Sequence, residues 1–127
     1  MAGLTACTPP APRICTPGTG APLLLADLYF GRAIAGRTDL TDAEWTQFLD
    51  DTITANLPSG YTTMDAAGGW MNPKTRKTIR EATKLLVVAV PDTPDSMAAI
   101  DRIRRAYQVR FNQQSVGLTV EHACGAF

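Results

Sequence analysis

A chain of 127 residues with twelve basic and twelve acidic side chains forms one domain with room for one core, and it carries no net field for drawing in nucleic acid or a charged substrate. Its longest apolar run beyond the N-terminus, Leu85 to Val90, is far shorter than the roughly 18 residues that suggest a membrane span. That run reads as a strand.

Residues 2–8, AGLTACT, place small apolar residues before a cysteine. Leu4-Thr5-Ala6-Cys7 looks like a lipobox, the end of a bacterial lipoprotein signal peptide, at which Cys7 is lipidated and becomes the new N-terminus. The charged start and long apolar stretch of a leader do not precede it. Two readings stay open. In the first the leader is trimmed and the protein is lipid-anchored in the bacterial cell envelope, facing the periplasm. In the second Met1 is the native start and the protein is cytoplasmic. Residues 8–22, TPPAPRICTPGTGAP, are rich in proline, glycine and threonine and form a tether, so the chain divides into a leader remnant and tether (1–22) and a folded domain (23–127).

LLLADLYF predicts a first strand over 23–31. Thr41-Asp42-Ala43-Glu44 is a capping box, and Trp45, Phe48, Leu49, Ile53 and Leu57 form one helical face that ends at Pro58-Ser59-Gly60. YTTMDAAGGWM is a second strand and NPKTRK a hairpin turn. A third strand over 78–90 follows and ends at Pro91. Thr93 and Pro94 start a second helix whose buried stripe is Ile100, Ile103, Tyr107 and Phe111. In SVGLTVEHAC, Val116, Leu118 and Val120 face one way and Thr119 and Glu121 the other. The order β-α-β-β-α-β predicts an α+β fold, the ferredoxin-like split β-α-β unit. Its four-stranded antiparallel sheet has the order 4-1-3-2, with two helices on one face.

The chain resembles an uncharacterised family of small exported bacterial proteins, the domain of unknown function 3574, from about Cys15 to Phe127. The likeness rests on Leu28-Tyr29-Phe30-Gly31, Glu44-Trp45, Phe48, Asp65, Gly68, Trp70, Glu81, Lys84-Leu85-Leu86, Ile103-Arg104, Tyr107, Phe111, Gln113, Ser115-Val116 and Cys124. Gly69 stands where the family pattern has glutamine, and Gln114 where it has glutamate. The resemblance implies address and fold, and no activity.

His122 and Cys124 form an H-x-C pair, but two ligands do not make a metal site and none is assigned. No Ser-His-acid spacing, phosphate loop or C-x-x-C is present, so no catalytic residue and no cofactor is assigned either. By strand alternation the sheet face away from the helices carries Asp27, Tyr29 and Glu121, with Asp65 and Lys84 expected to join them as a ligand face. Its apolar part is Leu23 and Leu25 with Leu86 and Val88. The third strand lacks the aromatic residues that stack bases, which argues against nucleic acid as a partner. The basic run Lys74, Arg76, Lys77 and Arg80 sits on a solvated hairpin, where it faces anionic headgroups if the protein is anchored.

These features favour a non-enzymatic envelope lipoprotein domain that acts as a binding or interaction module. It would be held to the membrane through Cys7 and could form a homodimer through the open sheet face. The alternative is an isomerase- or lyase-type small-molecule enzyme, with a pocket lined by Asp27, Tyr29 and Lys84 inside a dimeric barrel. With Cys7 given to lipid, Cys15 and Cys124 are expected to form a disulfide that pins the tether across the edge strand and covers its unpaired backbone groups.

Overall fold

A computed structural model of the chain describes Cys7 and residues 14–127. Leu4, Thr5 and Ala6 of the lipobox and residues 8–13 of the tether lie outside the described residues. The strands are β1 (Ala21–Gly31), β2 (Thr62–Met71), β3 (Thr78–Pro91) and β4 (Gly117–Gly125). They pair in the order β2-β3-β1-β4, antiparallel throughout, which is the expected order read from the other edge. The helices are α1 (Asp42–Phe48), α2 (Thr54–Asn56) and α3 (Pro94–Arg110).

The helix starts follow from local chemistry. Thr41 Oγ1 accepts from the Glu44 N–H at 3.1 Å and Glu44 Oε2 accepts from the Thr41 N–H at 2.9 Å, so two orphan donors of the first turn are satisfied. Thr93 Oγ1 accepts from the Ser96 N–H at 3.2 Å, and Pro94 occupies the first turn of α3.

One departure from the expected first helix has a clear cause. Between α1 and α2 the chain makes a π turn, Leu49–Ile53, in which the Thr54 N–H bonds to the Leu49 carbonyl five residues back. Phe48 and Ile53 are both fully buried, and five residues is too wide a step for one face of a regular α-helix. The wider turn brings them onto the same face. The core lies between this helical layer and Leu24, Ala26, Leu28, Phe30, Leu86, Val88 and Val90 on the sheet. At its centre Tyr107 packs on Phe30 at 4.8 Å, on Phe111 at 4.9 Å and on Phe48 at 5.3 Å between ring centroids. Its hydroxyl donates to the Gly31 carbonyl at 2.7 Å, and burial pushes its ionisation well above the ordinary phenol range.

Cys15 and Cys124 form a disulfide with Cα atoms 5.8 Å apart. The expectation that the tether covers the edge of β4 rests partly on residues 8–13, which lie outside the described residues. Among the described residues, the backbone hydrogen bond that residues 14–20 make outside the strand ladders is their own turn, from the Thr19 N–H to the Thr16 carbonyl, and none reaches the outer edge of β4. Val120 shares the helix-side face with Ala26, but it stays 41 % exposed on the edge strand.

Candidate functional site

The register decides which side chains share the open face. Leu25 is opposite Ala89 and Glu121, Asp27 opposite Val87 and Thr119, and Tyr29 opposite Leu85 and Gly117. Asp27, Tyr29 and Glu121 therefore stand together on the open face as expected.

Lys84 and Asp65 do not. Lys84 is opposite Phe30, a core residue, and Asp65 is opposite Lys84, so both belong to the helix side. Lys84 is buried and pairs with Asp42 at 2.8 Å and Asp65 at 2.5 Å, joining β3 to β2 and to the start of α1. Burial opposes its charge, but the two carboxylates outweigh burial and hold the ammonium above its usual range. Lys84 and Arg32 in turn hold Asp42 below the ordinary carboxylate range. Leu86 and Val88, expected on the open face, are likewise buried under the helices. Leu85, Val87 and Ala89 take the outward positions. The physical reason is that LLVVAV is apolar at every position, so its composition carries no phase.

The open face ends in two different hollows. One is apolar, about 470 Å³, between Leu23, Leu25, Tyr61, Val87, Ala89 and Phe127. The other is a polar cleft of about 560 Å³. Its walls are Tyr29, Gly31, Glu81 and Thr83 from β1 and β3, the segment after β1 at Ala33 and Ala35, and the α3–β4 connection at 112–115. Between the hollows lies a notch at Asp27, Thr119 and Glu121.

Side chains of α3 hold the 112–115 connection in place. Asn112 turns the chain out of the helix in the left-handed region, at φ 48°, which asparagine tolerates. Arg104 donates twice to the Val116 carbonyl, at 3.0 and 2.9 Å, and Gln108 Nε2 donates to the Gln114 carbonyl at 2.8 Å. Gln113 Nε2 spans the cleft floor to the Ala33 carbonyl at 2.8 Å. The Tyr29 ring lies beside Gly117, where an added β-carbon would come within 3.2 Å of it. Glu81 is half-buried, is the one charged side chain of the lining, and has no ion-pair partner among the described residues. A carboxylate, the Tyr29 ring and several amide and hydroxyl groups thus line one cleft, an arrangement able to bind a polar molecule, while the Tyr29 hydroxyl lies 3.5 Å from Thr119 Oγ1 at the adjoining notch.

The model of the family described as "Protein of unknown function (DUF3574)" matches residues 25–127. The chain belongs to this family. No curated protein matches the sequence. Among solved structures, a phage SAM lyase in complex with S-methyl-5'-thioadenosine superposes with a TM-score of 0.58 at 12% identity, covering 81% of this chain and 90% of that one. A phage SAM lyase in its apo state superposes with a TM-score of 0.57 at 13% identity, covering 91% and 98%. At such identities the likeness is one of fold.

Glu81, Thr83 and the 113–115 segment were not legible as a site in the sequence. Glu81, Gln113 and Ser115 are, however, residues on which the family resemblance rests without belonging to the buried core, and that was the available signal. The H-x-C pair is not open to a metal: Cys124 is in the disulfide, and His122 Nδ1 lies 3.0 Å from Asp92. Cys7 is exposed and free.

Proposed function

We propose that this domain is a lipid-tethered envelope module that binds a small polar molecule in the cleft between Tyr29, Glu81 and residues 113–115. The observation that carries the reading is the half-buried Glu81 carboxylate, without an ion-pair partner among the described residues, in a cleft of metabolite size whose loop is braced from α3. The disulfide supports an oxidising compartment, and the lipobox-like Leu4 to Cys7 supports anchoring there. A backbone-amide NMR screen of the folded domain against small polar metabolites tests the binding site. Shifts grouped at Tyr29, Gly31, Thr83 and 113–117 are expected. Shifts confined to the apolar hollow around Leu25 and Val87 would overturn it. Intact mass of the product of the full gene tests the tether, which requires an acylated Cys7 as first residue.

A second reading is a lyase acting on a small molecule, favoured by the fold shared with the phage SAM lyases and by Glu81 and Tyr29 as acid and base candidates. Incubation with SAM tests it. Loss of SAM that disappears in Glu81→Gln would establish it, and an unchanged SAM concentration would remove that substrate.

A further inference from the structure

We propose that the cleft takes a small organic cation, with Glu81 as its counter-charge and the Tyr29 ring as its apolar wall; this rests on the cleft being the binding site. Glu81 is half-buried in the cleft, and among the described residues no side chain supplies it with an opposite charge. The nearby basic groups are committed elsewhere. Arg32 is held by the Leu40 carbonyl and Asp42, Arg104 by the Val116 carbonyl, and Lys84 by Asp42 and Asp65 on the opposite face.

Among the described residues the cleft therefore has no cationic side chain with which to attract an anion. Gln113 uses its amide nitrogen on the Ala33 and Phe111 carbonyls, so its oxygen is left as an acceptor, 3.7 Å from where a β-carbon on Gly31 would sit. The Glu81 carboxylate and the Gln113 oxygen, both acceptors, favour a ligand that donates hydrogen bonds or carries positive charge. Tyr29, 41 % exposed, adds a ring face of the kind that attracts ammonium and sulfonium groups. A hard metal ion is a poorer fit, because among the described residues no group of three or more metal-ligating side chains gathers here and the cleft offers one carboxylate.

The test titrates the folded domain with choline and putrescine, with their uncharged counterparts dimethylbutanol and butanediol, and with acetate, following the backbone amides. The cations should shift the lining amides at least about tenfold more tightly than their neutral counterparts, and Glu81→Gln should remove that preference. In the unmutated protein, added salt should weaken the cations and leave the neutral probes unchanged, a readout that does not depend on the variant folding. If the neutral probes or acetate bind the lining as tightly as the cations, the cleft stands as the site and the cationic ligand class falls. If no probe shifts a lining amide at tens of millimolar, both readings fall.

Discussion

A β-carbon at Gly31 would lie 2.7 Å from Oε1 of Glu81, so the missing side chain on β1 is what lets the carboxylate on β3 lie across the strand and into the cleft. Gly31 is not among the residues with positive φ, so its backbone tolerates any side chain and the constraint comes from the neighbour alone. Gly31→Ala should push the end of a flexible glutamate aside at a stability cost of no more than about 1 kcal/mol. It should nevertheless weaken choline binding as much as Glu81→Gln does. Denaturant unfolding and a choline titration on the same variant check both halves. Unchanged binding would mean that the site does not need the carboxylate where it now sits.

The Lys84 cluster should respond asymmetrically to mutation. Asp42 and Asp65 are largely exposed and Lys84 is buried, so Lys84→Met frees two carboxylates that water can solvate and fills the space with apolar atoms. The double variant Asp42→Asn, Asp65→Asn instead leaves a buried ammonium uncompensated. Thermal unfolding should show a small change for the first and a large loss for the second. A larger loss in Lys84→Met would mean that the ion pairs themselves stabilise the fold.

Where the chain alternates or caps cleanly, its structure was legible. Leu118 and Thr119 took the expected faces of β4, and the Thr41 and Thr93 caps start their helices as read. Where composition is uniform the phase was lost, and Leu86, Val88 and Lys84 fell on the side opposite to expectation because every position of LLVVAV is apolar. The cleft was illegible for a different reason. Its walls come from residues some fifty and eighty positions from Tyr29, brought together by the pairing of β1 with β3 and by the side chains of α3 that hold 112–115. No local pattern encodes that convergence.

The disulfide between Cys15 and Cys124 spans 109 residues and ties the end of the tether to the last strand. Chain entropy assigns a loop of that length up to about 5 kcal/mol. Cys15→Ser should therefore lower the unfolding midpoint, with no further drop on adding reductant, whereas the unmutated protein should drop to the same value when reduced. Equal midpoints for oxidised and reduced unmutated protein would show that the tether transmits no constraint.

Acid should expose two surface pairs. Two hydrogen bonds from Arg37 and one from the Thr41 N–H hold Glu44 at about 2, and two from Arg110 with one from Thr52 hold Asp51 at about 2. Both values lie below those of the free side chains, 4.5 and 3.8, so the unfolded chain takes up these protons first as pH falls. The stabilisation is complete above the ordinary carboxylate range and is lost as pH falls through it toward the folded values. The double variant Glu44→Gln, Asp51→Asn should melt below the unmutated protein at neutral pH and converge with it near pH 2. A constant gap between the two curves down to that pH would show that the carboxylate charges are not its source.

The π turn gives the sharpest test of how the first helical layer is built. It exists because Phe48 and Ile53 must both reach the core from positions five apart, which makes one residue of the turn surplus to a regular helix. Asp50 is exposed and makes no side-chain hydrogen bond or ion pair among the described residues. Deleting it sets Phe48 and Ile53 four apart, the spacing of one α-helical face, and leaves Ile53 to Leu57 unshifted relative to α3. Ile53→Ala, by contrast, empties a fully buried site and should cost about 2–5 kcal/mol. The deletion should therefore be the milder change, although it removes a whole residue and the substitution only a side chain. Chemical denaturation of the two variants side by side decides the matter. A deletion as damaging as Ile53→Ala would mean that the π turn holds Thr54–Asn56 in a position the regular helix cannot reproduce.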